Sequence, residues 1–240
     1  GKILSLVGGI NYSDSNFNRV IQSQRQPGSA IKPFLYQVAL NLGYSPASHL
    51  IDISRTYNYT QGEEEKKWQP KNYEENYKGL ITLREALLHS RNLATINLVN
   101  DIGIDVVYKG LQEFGIENMP MDLSITLGSF SISPFEMSQA FSIFSNNGIQ
   151  VKPYIVNAIT NSKNQTIHFQ SEEKYIQSPQ QAFLITSILH DTVKRGTGKL
   201  AQVKGLEIAG KTGTTNQNVD AWFCGYTPTM QTVIWYGNDD

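Results

Sequence analysis

The chain has 240 residues, a formal net charge of −1, 40% hydrophobic and 17% charged residues, and one cysteine, Cys224. That is enough chain for a core of its own, and the even charge balance excludes a general attraction to nucleic acid or to an anionic membrane surface. A single cysteine excludes an internal disulfide, no apolar run is long enough to span a bilayer, and His49, His89, His168 and His190 lack metal-ligand spacing.

In chain order, residues 2–9 read as a buried strand, and residues 11–24 as polar and turn-rich. Pro27-Gly28 is turn chemistry, so a helix is expected at or beside Ser29, ending at Gly43. Pro33 stands early in that helix, where it removes a donor at some cost. Residues 44–79, with Pro46, Pro70 and the Glu63-Glu64-Glu65-Lys66-Lys67 run, read as long surface loops. Thr82 with Glu85 at its N3 position opens a helix. The helical pattern pauses at Ser90-Arg91-Asn92 and resumes from Leu93 to Val99.

Further helices are expected over residues 106–114, closed by Gly115, and from Ser133-Pro134-Phe135-Glu136 to Asn147-Gly148. Residues 149–169 suggest a hairpin, with Tyr154-Ile155-Val156 and Thr166-Ile167-His168-Phe169 flanking the Asn161-Ser162-Lys163-Asn164 turn. A helix over 178–194 precedes three strands, 206–214, 221–226 and 231–236, which read as an antiparallel meander. The expected architecture is one α+β domain over residues 1–240. Its antiparallel sheet gathers both chain ends, near 2–9 and 205–237, and is flanked by helices, with a mainly helical subdomain at roughly 40–145. Strand patterns at both ends suggest a fragment whose anchor or signal lies outside it.

Three short patterns carry chemistry. Ser29-Ala30-Ile31-Lys32 sets an amine one turn along from a hydroxyl at a helix start, one way to build an activated nucleophile. Alone it is weak: about one chance match is expected, and Ser171-Glu172-Glu173-Lys174, in a polar stretch, is a second. Lys211-Thr212-Gly213, continuing into Thr214, is rarer. Read on a strand, Lys211 and Gly213 share one face. The lysine and the threonine hydroxyls suit a substrate carboxylate, and the strand edge can pair with a peptide.

The same stretch, Gly205 to Thr212, fits the phosphate-loop pattern GxxxxGK[ST] letter for letter. That reading needs a strand before and a helix after. The interior Leu206-Glu207-Ile208-Ala209 alternates like a strand, and Gly213-Thr214-Thr215-Asn216-Gln217-Asn218 is a poor helix start. Ser90-Arg91-Asn92 is an SxN triplet between two helical segments, where a hydroxyl can be held in a cleft. Ser145-Asn146-Asn147 and Ser162-Lys163-Asn164 match it only in turns.

The order SxxK, SxN, KTG resembles the serine acyltransferases that penicillin inhibits. Arg25-Gln26-Pro27-Gly28-Ser29, Lys32-Pro33-Phe34, Trp68-Gln69-Pro70-Lys71-Asn72-Tyr73 and Leu83-Arg84-Glu85-Ala86-Leu87 narrow this to class A penicillin-binding proteins. Gly196-Thr197-Gly198, Gly210 to Asn216 and Asp220-Ala221-Trp222-Phe223 point the same way, so the resemblance covers nearly the whole chain.

It implies a peptidoglycan D,D-transpeptidase acting on the extracytoplasmic (periplasmic) face of a bacterial membrane, with no cofactor and no metal. Its partners would be donor and acceptor stem peptides and β-lactam antibiotics, not nucleic acid. The family's complete protein is membrane-anchored and places a glycosyltransferase domain before this one. By resemblance, Ser29 is the nucleophile and Lys32 its base. Ser90 passes a proton to the leaving D-alanine, and Asn92 holds Lys32 and the substrate amide. Lys211 keeps its charge and orients Ser90, while Thr212, Gly213 and Thr214 bind substrate. The backbone N–H groups of Ser29 and Thr214 would form the oxyanion hole. Lys32 can act as base only if partly neutral, which burial beside Lys211 favours. Two alternatives stay open. A serine β-lactamase would need a water-activating group such as Glu74, Glu75 or Glu136, and a non-catalytic penicillin sensor would acylate and stall.

Overall fold

The computed structural model describes residues 1–61, 64–215 and 218–239. The first half holds helix α1 (Arg19–Gln22), a 3-10 turn (Gly28–Ile31), helix α2 (Lys32–Asn41), and strands β1 (His49–Asp52), β2 (Tyr57–Gln61), β3 (Glu64–Trp68) and β4 (Gly79–Thr82). Helices α3 (Leu83–Leu88), α4 (Asn92–Ile102), α5 (Ile104–Glu113) and α6 (Pro134–Ser145) come next. Then come strands β5 (Ile149–Val151), β6 (Ala158–Thr160), β7 (Thr166–His168) and β8 (Glu173–Tyr175), helix α7 (Pro179–Arg195), and strands β9 (Ala209–Thr214), β10 (Asp220–Tyr226) and β11 (Gln231–Gly237).

The α+β class is as expected. Among the described residues the main sheet is three-stranded and antiparallel, in the order β11–β10–β9. The core is built around α2. Its residues 32–40 are all buried, because a helix apolar on nearly every side must be covered on every side. Phe34 meets Phe114, Phe141 and Phe144 at centroid distances of 5.8, 5.3 and 4.9 Å, contacts worth about 0.5–1.5 kcal/mol each beyond burial. Helices α4 and α5 cover one side of α2; α7 lies between α2 and strand β9.

The expected helix starts are present, and three of them carry a side-chain cap. Thr82 Oγ1 accepts from the Glu85 N–H, Ser178 Oγ accepts from the Gln181 N–H, and Ser133 with Glu136 forms a complete capping box. Pro33 lies in the first turn of α2, where a backbone N–H has no partner within the helix, so the expected cost largely disappears.

Four expectations need correction. Residues 2–9 do not form a strand of the main sheet: Lys2 makes an isolated parallel bridge to Tyr154, Leu4 and Val7 are exposed, and the Gly8 carbonyl is taken by the Arg19 N–H. The apolar run therefore has no sheet edge to bury it. Residues 44–79 are not all loop, because β1 pairs with β4 and β2 with β3. Of the charge run, Lys66 and Lys67 lie in β3, while Glu63 is outside the described residues. The hairpin turn is where expected, but its first strand is Ala158–Thr160, since Tyr154 is engaged by Gly1 and Ile3. The strand expected from 206 begins at Ala209, because Leu206 closes a turn onto the Val203 carbonyl.

Candidate active site

The 3-10 turn that carries Ser29 is pinned by its neighbours. Arg25 exchanges both backbone hydrogen bonds with Ile132, at 3.1 and 3.0 Å, and Trp222 Nε1 donates to the Gln26 carbonyl at 2.8 Å. Strand β9 then comes close enough that two positions demand glycine. Gly28 has φ +52°, and a Cβ there would lie 2.6 Å from the Thr214 carbonyl oxygen; a Cβ on Gly213 would lie 2.3 Å from that of Pro27. The backbone of Thr214 is thereby set beside the Ser29 turn. The Lys32 N–H donates to the Ser29 carbonyl, so the two residues share one turn. The half-buried Ser29 hydroxyl makes no hydrogen bond among the described residues.

Lys32 is 0% exposed. Its Nζ lies 2.7 Å from the Ser90 carbonyl oxygen, 2.7 Å from Asn92 Oδ1 and 3.3 Å from Ser90 Oγ. Lys211, also 0% exposed, reaches Ser90 Oγ from the other side at 3.0 Å and donates to the Thr212 carbonyl at 2.8 Å. Ser90 has φ +54°, a left-handed conformation between α3 and α4 that carries its hydroxyl between the two amines. The SxxK, SxN and KTG patterns thus converge in space through Lys32, Ser90, Asn92 and Lys211.

Burial governs the protonation of both lysines. Lys32 is held well below the ordinary lysine range, first by desolvation, then by the charges of Lys211 and Arg91; Asp52 opposes the shift. Desolvation pushes Lys211 down to about 7, with Cys224, its partner in the β9–β10 register, acting in the other direction. Burial thus works against the Lys211 ammonium that the resemblance implies.

Along β9, Lys211 and Gly213 are buried, Thr212 is half-buried and Thr214 exposed. Thr212 Oγ1 donates to Thr197 Oγ1 at 3.0 Å, joining the Gly196-Thr197-Gly198 stretch to the strand. β9 is an outer strand of its sheet, with its second edge unpaired among the described residues. The phosphate-loop match is strand at its end and has Lys211 turned into the core, so it makes no phosphate cradle. Asn216 of the extended KTG motif lies outside the described residues.

The decoy matches stay apart. Ser171 is half-buried and donates to the Lys152 carbonyl, and Ser162 lies in the β6–β7 turn. The glutamates weighed as water activators are engaged elsewhere. Glu136 accepts from Ser133 and Gln24, Glu74 accepts from Asn76, and Glu75 pairs with Lys71. For Glu136 burial alone would raise the pKa, but the bonds from Ser133 and Gln24 outweigh it and hold the carboxyl low. Sequence reasoning did not single out Asp52, buried behind the SxN turn; one acid in a short strand gives no signal of its own.

Residues 1–238 match the family model for the penicillin binding protein transpeptidase domain. The chain belongs to that family. Over its whole length it is 33% identical to penicillin-binding protein 1A of Pseudomonas aeruginosa and 36% identical to those of Neisseria flavescens and Aquifex aeolicus. It spans about a third of those relatives, 35%, 31% and 33% respectively. The crystal structure of penicillin-binding protein 1A from Haemophilus influenzae is similar at a TM-score of 0.88 and 30% identity, over 98% of this chain and 41% of that one. Penicillin-binding protein A of M. tuberculosis, solved as an imipenem acyl-enzyme complex, shares the fold at a TM-score of 0.76 and 21% identity, over 92% of this chain and 57% of that one.

Proposed function

We propose that this domain is a serine D,D-transpeptidase that cross-links peptidoglycan stem peptides and is acylated by β-lactams. The observation that carries the reading is the buried Lys32–Ser90–Lys211 chain beside the Ser29 turn. A neutral Lys32 keeps two N–H groups, enough for the two acceptors at 2.7 Å, and a lone pair free to take a proton. Ser29 is then the nucleophile, attacking the carbonyl between two terminal D-alanines, and Lys32 the general base.

The proton continues through Ser90 to the leaving D-alanine. Asn92 Oδ1 steadies Lys32, and of its two amide N–H groups the one not given to the Lys71 carbonyl is left for the substrate carbonyl. Lys211, Thr212, Gly213 and Thr214 receive the substrate carboxylate and backbone. A carboxylate beside Lys211 favours its ammonium form, so binding restores the charge that burial weakens. The N–H groups of Ser29 and Thr214 serve as oxyanion donors, each worth about 3–4 kcal/mol in the transition state. An amine from a second stem peptide resolves the acyl-enzyme. The complete protein acts on the extracytoplasmic side of the membrane, carried by an anchor and joined to a glycosyltransferase domain.

Intact mass followed over time after mixing with penicillin, with peptide mapping, tests the reading. A single lasting adduct on Ser29 is expected. An adduct on Ser90 or Ser171 overturns the assignment, and rapid loss with penicillin turnover moves the chain to the β-lactamases.

A further inference from the structure

Behind the Ser90-Arg91-Asn92 turn lies a buried ion pair that the proposed chemistry does not use. Asp52, at the end of β1, is 0% exposed and Arg91 is 5% exposed. Arg91 Nε donates to Asp52 Oδ2 at 2.9 Å, and Nη2 lies 2.6 Å from the same oxygen. The remaining bonds run to residues 71–78. Arg91 Nη2 donates to the Asn76 carbonyl at 2.7 Å, and the Lys78 N–H donates to Asp52 Oδ2 at 3.1 Å. Asn72 Nδ2 donates to Asp52 Oδ1 and to the Asn76 carbonyl, both at 2.9 Å, while its Oδ1 accepts from the Leu93 N–H at 3.1 Å. Asn92 Nδ2 donates to the Lys71 carbonyl at 3.2 Å.

Arg91, Asn92 and Leu93 are therefore each tied to β1 or to residues 71–78. A buried ion pair is a poor source of net stability, because desolvation offsets much of its attraction; what a fully bonded one supplies is a single geometry. Here that geometry has two consequences at the site. Ser90 is kept in its left-handed conformation by a neighbour that cannot turn. The Asn92 amide is kept from flipping, because its nitrogen faces the Lys71 carbonyl and its oxygen faces Lys32.

We propose that Asp52, Arg91 and Asn72 are positioning residues that fix the Ser90 turn and decide which atom of Asn92 faces Lys32. The inference rests on the roles proposed above for Ser90 and Asn92. None of the three touches the reacting atoms, so their effect is on rate through geometry.

The test is the rate of labelling by a fluorescent penicillin, below each variant's melting temperature and across a pH series, for wild type, Asn72→Ala, Arg91→Lys and Asp52→Asn. Misplacing a reacting group by a fraction of an ångström to an ångström slows reactions by about tenfold to a hundredfold, the loss expected in each folded variant. The charges facing Lys32 are Lys211 from β9, Arg91 from the turn and Asp52 from β1. Asn72→Ala and Arg91→Lys leave them in place, so the rate falls while the rising limb of the pH profile stays. Asp52→Asn removes a carboxylate that favours the Lys32 ammonium, so its limb moves to lower pH.

A folded Asn72→Ala or Arg91→Lys protein that labels at the wild-type rate overturns the proposal. If single changes unfold the chain, the double variant Asp52→Asn with Arg91→Met leaves no buried charge unpaired. That variant, folded and labelling at the wild-type rate, overturns the proposal equally. If wild type takes no label on Ser29, the function reading fails instead. The positioning role is then read in Asn72→Ala from amide exchange at Ser90 and Arg91, whose N–H groups bond to the Leu87 and Ala86 carbonyls and not to Asn72: faster exchange supports it, and unchanged exchange refutes it.

Discussion

Lys32 and Lys211 meet at one oxygen: Ser90 Oγ lies 3.3 Å from the first Nζ and 3.0 Å from the second. Two amines on one hydroxyl, both out of water, cannot both be comfortable as cations. The charge on one lowers the proton affinity of the other, and Lys32, with Arg91 also nearby, is the more strongly affected. This is the relation on which the base assignment depends.

Lys32→Arg separates charge from proton chemistry. Arginine keeps the charge and adds donors, but its pKa exceeds about 12 and it does not act as a base in proteins. General base catalysis is worth roughly a hundred- to ten-thousand-fold, and penicillin acylation is expected to slow by at least the lower figure. Stopped-flow labelling on protein verified as folded by thermal melt decides it; a rate within tenfold of wild type removes Lys32 from the mechanism.

Stability should rise with pH because of the same pair. Below about 7 the folded and unfolded states both hold the Lys211 proton, and the full cost of burying the ammonium is present. Between about 7 and the ordinary value of 10.5 the unfolded state binds more protons than the folded one, so the cost shrinks as pH rises. Lys32 acts with the same sign. The slope is at most about 1.4 kcal/mol per pH unit for each lysine. Urea unfolding of Lys211→Met at several pH values should give a flatter curve than wild type, and parallel curves would refute the account.

Gly213→Ala should disturb chemistry and fold together. The added methyl meets the Pro27 carbonyl and Ala30, pushing β9 from the Ser29 turn, with overpacking costs of about 1–3 kcal/mol. Gly205→Ala is the control. Its φ is +85°, with nothing within 4 Å of a new Cβ, so it should cost about 1–2 kcal/mol from backbone conformation alone. Melts should fall for both variants, while labelling slows only for Gly213→Ala.

Glu136→Gln should destabilise without changing how long the penicillin adduct lasts. The carboxylate completes the α6 capping box; the glutamine amide oxygen can still accept there, so what is lost is the negative charge at the helix N-terminus, about 0.3–1 kcal/mol. Because its folded pKa is depressed, this contribution is present above the ordinary value of 4.5 and is lost as pH falls through the folded value. An adduct that becomes longer-lived in Glu136→Gln would show that this glutamate activates water after all.

The helices and the three motifs were legible for the same reason: both are written locally. Thr82, Ser133 and Ser178 announce helix starts through their own side chains, and SxxK, SxN and KTG each fit within four residues. What was not legible depends on distant partners. The apolar run at 2–9 reads as a strand but finds no sheet edge, and the Leu-Ile pairs of β1 and β4 mean little until Leu50 faces Ile81 across thirty-odd residues. Asp52 is equally silent in sequence, since its partners Arg91 and Asn72 are scattered. The state of Lys211 needed burial, which no motif states.

Ser90 places two demands on one position. Its backbone, at φ +54°, suits glycine or asparagine, and a serine there costs on the order of 1–2 kcal/mol. Its hydroxyl links Lys32 to Lys211, which neither of those residues can reproduce. Selection for a robust fold and selection for the proposed acyl-transfer chemistry therefore pull this codon in opposite directions. A mutant library screened only for heat tolerance should enrich glycine at position 90, while the same library screened for penicillin capture should return serine. The divergence of the two screens would measure, at one residue, how much robustness the chain forgoes to keep its chemistry.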